Sequence, residues 1–407
     1  MNSRLLALSV FTATALTISQ YPAAKPSADK ISPVMASPSI QNTKPTAQQA
    51  MTRAKIEVVF VLDTTGSMSG MIQAAKEKIW AIASSMANAD PAPDIKMGLI
   101  AFRDRGDQYV TRTTDLSTDL DSIYAHLMGF QADGGGDAPE SVNQALHEAI
   151  EGIKWSNDQN SYKVVFLVGD APAHMDYQDD IPFAKTLAIA NIKGILVNTI
   201  QCGDAIETRR HWNQIARLGG GDYFNVAQNG GALPTATPYD ADIAKLSDKL
   251  DNTRIFYGTA EKRQKLAAKV ETSDRLYKIA TSAALARRAE YNATESGRKN
   301  FLADSELVDD VATGRVKLEE IDQALLPDEI RAMTPEKQRA VILAKAKERK
   351  ELQAQLATLG ERRRRYLEAQ VTTTPDASSS LDIQLFDTIK KQAQTKGLNY
   401  QDSDRRY

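Results

Sequence analysis

An open α/β fold with a doubly wound, mostly parallel six-stranded sheet flanked by helices, followed by an α-helical C-terminal region, is what this 407-residue sequence predicts. Three observations carry that expectation. From residue 54 onward, short runs rich in Val, Ile, Leu and Phe alternate with segments of helical period, the mark of β-α-β crossovers. The strand runs are almost continuously apolar rather than alternating, as strands covered on both faces must be. Beyond residue 258 such runs cease, and the chain becomes charged and helical in character.

The first strand, residues 55–62, holds Ile56, Val58, Val59, Phe60, Val61 and Leu62 and runs into Asp63-Thr64-Thr65-Gly66-Ser67-Met68, from which a helix over 70–88 starts. A second strand spans 94–102. A short strand over 108–113, reached with no helix between, is predicted to be antiparallel because parallel neighbours need a long crossover. Helices over 119–127 and 139–153 flank an acidic turn, Asp133-Gly134-Gly135-Gly136-Asp137-Ala138-Pro139-Glu140. A further apolar run over 163–168 ends in Gly169-Asp170, and helix 181–191, strand 194–200, helix 206–218 and strand 223–226 complete the sheet. Past Asn229-Gly230-Gly231 and the loop with Pro234 and Pro238, helix 240–252 closes this domain near Gly258. The remainder reads as one helix over 259–291, a shorter segment over 318–326, and a long helix capped by Thr334 and opened by Pro335 that runs to about Gln370. Leu352, Leu356 and Leu359 give that helix an apolar stripe. A hairpin with the 259–291 helix suits it better than an intermolecular coiled coil, because the repeat does not persist. A linker precedes a last amphipathic segment over 381–396.

At the N-terminus, Arg4 precedes an uncharged apolar run over residues 5–18 and then Ala23 and Ala24, which reads as a secretory signal peptide covering 1–24. The run is short for a membrane span. Residues 25–53, rich in Pro, Ser, Ala, Thr and Gln, read as a flexible linker. The expected domains are therefore 1–24, 25–53, 54–258, 259–370 and 371–407, in a protein exported to the periplasm or the extracellular space. An uncleaved N-terminal anchor is the lesser alternative. No Cys follows the apolar run, so nothing supports a lipid attachment. Cys202 is the sole cysteine, which excludes an intrachain disulfide and suits a small buried side chain at a strand end. A formal net charge of −2 gives no reason to expect nucleic acid or an anionic membrane as partner.

Asp63, Thr65, Ser67 and Asp170 concentrate oxygen ligands at the ends of two apolar strands, and hard divalent cations bind such sets. The combination resembles the von Willebrand factor type A domain, a Rossmann-like fold, and its metal-ion-dependent adhesion site. That site's pattern is Asp-x-Ser-x-Ser, then a loop Thr, then Asp. Thr65 stands in for the first Ser, and the loop Thr is missing. In its place the segment ending Asp137-Ala138-Pro139-Glu140 resembles the Asp-x-Pro-Glu loop of integrin β subunits, which implies Glu140 as a direct metal contact with Asp137 beside it. The resemblance further implies direct contacts from Thr65 and Ser67, water-mediated support from Asp63 and Asp170, and Mg²⁺ or Mn²⁺ as the ion. The implied partner is a protein that offers an acidic side chain to an incompletely filled shell. Phe102-Arg103-Asp104 is similar to the integrin β strand whose last Asp binds a neighbouring cation. Asp104, Asp137 and Glu140 match three of its ligands, with Ca²⁺ the candidate ion, although the family's Asn is Gly135 here. The acidic pair of the regulatory site is Ser69-Gly70, so no regulatory cation is expected. The plain alternative for Asp104 is a surface charge in a turn with Arg103, Arg105 and Asp107.

Two other readings compete for Asp63. Asp63, Thr65 and Ser67 could serve only to cap the following helix, which leaves two further acidic turns without a role. Asp63-Thr64-Thr65-Gly66-Ser67 also resembles the nucleophile motif of magnesium-dependent phosphohydrolases of the haloacid dehalogenase superfamily, with Asp63 as nucleophile and Gly169-Asp170 and Asp176 as the second loop. There Thr64 replaces the motif's Lys and Thr65 its acid/base Asp. The favoured function is an exported, divalent-cation-dependent protein-binding module for adhesion or scaffolding, without catalysis. His126, His147, His174 and His211 lack zinc spacing. His174 reads as a loop histidine with a local hydrogen bond, and Arg362 to Arg365 as a solvated helix face. Arg105-Gly106-Asp107 is a chance match to an integrin-binding tripeptide. Asn292-Ala293-Thr294 would accept a glycan only in a eukaryotic source.

Overall fold

The computed structural model describes residues 53–136, 138–228, 236–373, 381–401 and 404. The expected signal segment, nearly all of the linker after it, Asp137, the Asn229-Gly230-Gly231 turn with Pro234, and the linker over 374–380 lie outside the described residues. Six strands, β1 (Lys55–Asp63), β2 (Asp94–Phe102), β3 (Thr111–Ser117), β4 (Tyr162–Gly169), β5 (Ile195–Cys202) and β6 (Gly220–Val226), form one sheet in the order β3-β2-β1-β4-β5-β6. β3 runs antiparallel to β2 and every other pair is parallel. β3 starts three residues later than expected, because residues 103–110 are spent on a turn beside the first strand ends.

The continuous apolar run of β1 is explained by its two faces. Ile56, Val58, Phe60 and Leu62 point into one layer with α1 (Ser69–Ala87) and α2 (Leu120–Met128). Val59 and Val61 point into the other, with α3 (Val142–His147), α4 (Phe183–Lys193) and α5 (Ile206–Leu218). β1 lies between β2 and β4, so the winding reverses there, and ligand sites in open sheets form at the carboxyl ends of strands at such a switch point. Leu62 pairs with Val168, which brings the ends of β1 and β4 side by side.

The helical remainder consists of α6 (Asp240–Asp251), α7 (Ala260–Ile279), α8 (Ser282–Ala293), α9 (Arg298–Leu302), α10 (Leu307–Ala312), α11 (Asp328–Arg331), α12 (Pro335–Thr373) and α13 (Leu381–Gln394). Leu276, Leu285, Tyr291, Phe386 and Ile389 join the same core layer as α1. A buried Asp121 in α2 receives two 2.6 Å hydrogen bonds from Arg288 of α8, which also pairs with Asp251 of α6 at 2.9 Å.

Several sequence expectations need correction. The single helix over 259–291 is two, because Ala280 is extended and the Thr281 hydroxyl caps α8 by accepting from Ala284 N–H. The 318–326 segment is two separate 3-10 turns, Leu318–Glu320 and Gln323–Leu325. The helix expected over 139–153 starts only at Val142 and ends in a π-turn, Glu148–Gly152. α12 packs against α6, α10 and α8 rather than forming a hairpin with the whole of the 259–291 segment. Leu352 and Leu356 are buried as the stripe implied, with Leu359 packed beside them. Arg363 is not on a solvated face: it is 1% exposed and donates to Asp240 at 2.8 Å and Glu290 at 3.0 Å.

Candidate metal centre

At the end of β1 the chain turns so that Thr65 donates both its N–H (2.9 Å) and its hydroxyl (2.7 Å) to Asp63 Oδ1. The Ser67 hydroxyl lies 3.4 Å from that of Thr65, on the 3-10 turn Gly66–Met68 that leads into α1. Thr64 fixes the turn to β2 by donating its N–H and its hydroxyl to the Phe102 carbonyl, each at 2.9 Å. Arg103 adds a second brace, reaching the carbonyls of Thr64 (3.1 Å) and Gln131 (2.9 Å), so one buried guanidinium ties the first loop to the glycine loop.

The glycine loop then closes over Thr65. Gly66 N–H donates to Gly134 O and Asp133 N–H to Thr64 O, both at 3.2 Å. Gly134 and Gly135 both adopt φ of +77°, a region other residues rarely enter. A side chain at Gly134 would overlap the Asp107 carboxylate, and one at Gly135 would stand 3.1 Å from Thr65 Cβ and 3.4 Å from Glu140 Oε1. The Glu140 carboxylate therefore faces the Thr65 side chain across a position only glycine can occupy. Glu140 is held by its backbone, donating to Pro172 O (2.9 Å) and accepting from His174 N–H (3.0 Å). It precedes α3 rather than lying in a first helical turn, so no helix dipole sets its charge. Asp170 follows β4, where a side chain on Gly169 would meet Asp63 Cβ at 3.1 Å. Gln228 donates to Asp170 Oδ2 at 2.6 Å and Thr208 to its carbonyl at 2.9 Å.

The electrostatics are those of crowded carboxylates in a buried place. Burial first, then the charge of Asp170, pushes Asp63 up to about 7 against the hydrogen bonds from Thr65. Glu140 is pushed up to about 9 by burial and by Asp63, Asp104, Asp107 and Asp170. One oxygen of each, Asp63 Oδ2 and Glu140 Oε2, is buried with no hydrogen-bond partner among the described residues. Buried polar atoms are rarely left so. A divalent cation would satisfy both and offset the mutual repulsion. Among the described residues no three His, Cys, Asp or Glu side chains form a metal cage, so the Thr65 and Ser67 hydroxyls and water would have to complete the shell.

Of the other expected ligands, Asp137 lies outside the described residues. Asp104 is buried rather than a surface charge; its Oδ1 accepts from Ser141 and its Oδ2 from Tyr177, both at 2.8 Å. His174 makes the local bond expected of it, 2.7 Å to Asp176, and also stacks on Tyr177 with its Nε2 3.3 Å from Asp104. Arg105 pairs with Asp179 (2.8 Å) and Asp180 (2.6 Å), while Asp107 accepts from Gly135 N–H at 3.1 Å. The Arg105-Gly106-Asp107 turn is thus engaged within the molecule. Asn292 of the glycosylation triplet is only 9% exposed. Sequence reasoning missed Gln228, Ser141, Tyr177 and the bracing role of Arg103. Only Arg103, a charge set directly after an apolar strand, left a signal.

This sheet order, with an oxygen-rich loop at the switch point, defines an open α/β domain of the doubly wound class. Residues 57–237 match the family model described as von Willebrand factor A domain, which spans the sheet and every described candidate ligand. Among curated proteins, a putative ariadne-like RING finger protein of Acanthamoeba polyphaga mimivirus is 25% identical over 122 residues, 30% of this chain. The alpha-protein kinase vwkA of Dictyostelium discoideum is 30% identical over 121 residues, 29% of this chain. The chain spans only 12% and 19% of the length of these two relatives. Among solved structures, proximal thread matrix protein 1 of the mussel byssus is 14% identical, covering 44% of this chain and 43% of that one with a TM-score of 0.34. The same protein with a zinc-occupied adhesion-site motif gives 0.35 over the same shares. The SpRpn10 VWA domain is 11% identical over 43% of this chain and 89% of that one, with a TM-score of 0.33. At these scores the likenesses carry no weight, and the fold rests on the sheet order and the family match.

Proposed function

We propose that this protein is an exported, divalent-cation-dependent protein-binding module. The observation that carries the reading is the pair of buried carboxylate oxygens on Asp63 and Glu140 that have no partner among the described residues, with the Thr65 hydroxyl on the other oxygen of Asp63. Thr65, Ser67 and Glu140 would hold Mg²⁺ or Mn²⁺ directly, with Asp63 and Asp170 supporting it through water and Asp137 beside Glu140. When bound, the cation supplies positive charge and an open position for an acidic side chain of a partner protein. A second cation at Asp104, Asp137 and Glu140, with Ca²⁺ the candidate, would have to compete with Ser141 and Tyr177 for Asp104. No helix among the described residues is long and apolar enough to cross a membrane.

The phosphohydrolase alternative gains nothing from the site. Its acid/base position is Thr65, whose hydroxyl donates to the would-be nucleophile, and Asp176 is paired with His174. Capture of a partner from the native compartment on the immobilised full chain tests the binding reading. The partner should be retained in magnesium, released by a chelator, and absent from Asp63→Ala. Retention that ignores both treatments would refute it. Magnesium-dependent phosphate release that Asp63→Asn abolishes would favour the hydrolase.

A further inference from the structure

Asp104 differs from the two acids of the metal centre that lack partners. Asp63 Oδ2 and Glu140 Oε2 are buried with no hydrogen-bond partner among the described residues. Both oxygens of the equally buried Asp104 accept hydrogen bonds, Oδ1 from the Ser141 hydroxyl and Oδ2 from the Tyr177 hydroxyl, each at 2.8 Å. Asp104 therefore has no orphaned oxygen for a second cation to satisfy.

The donor on Oδ1 is the residue directly after Glu140. Ser141 is fully buried and stands at the start of α3, where its carbonyl accepts from Ala145 N–H at 3.1 Å. A serine there ordinarily turns its hydroxyl to the first free N–H groups of the helix. This one makes no capping bond and donates to Asp104 instead. The helix start forgoes its cap, and the hydroxyl fixes the neighbour of Glu140 to the end of β2. That side-chain restraint adds to the backbone bonds of Glu140 with Pro172 and His174.

Asp104 also opens a turn whose other charges hold the remaining loops of the site. Asp107 accepts from Asp104 N–H at 3.3 Å and from Gly135 N–H of the glycine loop at 3.1 Å. Arg105 pairs with Asp179 and Asp180 in the loop after β4, and its guanidinium lies 4.1 Å from the centre of the Tyr177 ring. Tyr177 is thereby held over Asp104 from the far side.

We propose that Asp104 is a positioning residue of the metal centre: through Ser141 it sets where Glu140 stands, and the Ser141 and Tyr177 hydroxyls take the place of a second cation on its carboxylate. The inference rests on the cation reading above, with Glu140 as a direct ligand. Calorimetric titration of magnesium into the chelator-treated full chain tests it. Ser141→Ala leaves every carboxylate in place, so a loss of affinity reports position rather than charge. It should weaken magnesium binding by about tenfold in protein that circular dichroism shows to be folded, and Tyr177→Phe should weaken it several-fold. In a Glu140→Gln background Ser141→Ala should cost nothing further, because its effect passes through the Glu140 carboxylate. Calcium should bind at one site, in competition with magnesium. If Ser141→Ala does not fold, Tyr177→Phe in the two backgrounds decides. Wild-type affinity in the folded variant, equal weakening in both backgrounds, or a second calcium-binding step that Asp104→Asn removes would overturn the inference while leaving the cation reading intact. A wild type that binds no cation would overturn both.

Discussion

Glu140 is placed by its backbone rather than by a helix start. The helix expected over 139–153 would have put it in a first turn beside Pro139. Instead Glu140 sits before α3, bridged by its backbone to the loop after β4, and burial among four other carboxylates pushes it up to about 9. Without cation it is largely protonated at neutral pH, so a metal must displace a proton to bind. Magnesium affinity is therefore expected to rise with pH between about pH 6 and pH 9, and the binding heat to vary with the buffer's ionisation enthalpy. Affinity flat across that range would contradict the protonation argument. The stability consequence has a definite sign. Both folded-state values, about 7 for Asp63 and about 9 for Glu140, lie above the ordinary 3.8 and 4.5. The stabilisation is complete below those ordinary values and is lost as pH rises toward the folded ones. The chelated protein should lose melting temperature as pH rises from about 4 to about 9, and magnesium should restore it toward the upper end of that range. As to Glu140 itself, Glu140→Gln should weaken cation binding by about tenfold or more, while Glu151→Gln, a surface change, should not. Indistinguishable affinities would remove Glu140 from the shell and leave Asp137 as the candidate.

β1, β2, β4 and β5 were legible because they are covered on both faces, which leaves an apolar run long enough to stand out. The five-residue motif from Asp63 to Ser67 was legible because its geometry is local, made by neighbours bonding to neighbours. What stayed hidden depends on partners far along the chain. Nothing in Arg362 to Arg365 reveals that Arg363 is buried against Asp240 and Glu290, and no glycine or proline marks the break at Ala280 that turns α8 back onto the sheet layer. Asp121 is a similar case, a helix acid whose role comes from Arg288, far along the chain. Burial alone would raise its pKa, but the charge and hydrogen bonds of Arg288 hold it well below the usual carboxylate range. Its contribution is therefore present at neutral pH and lost as pH falls below the ordinary 3.8 toward the folded value. Asp121→Ala should cost about 3–5 kcal/mol in urea denaturation, because it leaves Arg288 buried with one partner fewer. Replacing both by apolar residues should cost less than the single change. A single variant within 1 kcal/mol of wild type, on the order of a surface substitution, would show that the pair does not tie α2 to α8.

At the scale of the whole molecule, the open sheet brings Asp63 and Asp170 together at the carboxyl ends of its central strands, and a glycine loop braced by Arg103 closes over them. The geometry leaves one oxygen each of Asp63 and Glu140 buried without a partner among the described residues, and a divalent cation would satisfy both. Calorimetric titration of magnesium into the chelator-treated full chain tests this most directly, with Asp63→Ala beside it and circular dichroism to establish that the variant is folded. The wild type should give a saturable, single-site heat and a melting temperature that climbs with the ratio of cation concentration to Kd, and the variant should show neither effect. No heat in the wild type, or an equal thermal shift in folded Asp63→Ala, would contradict it.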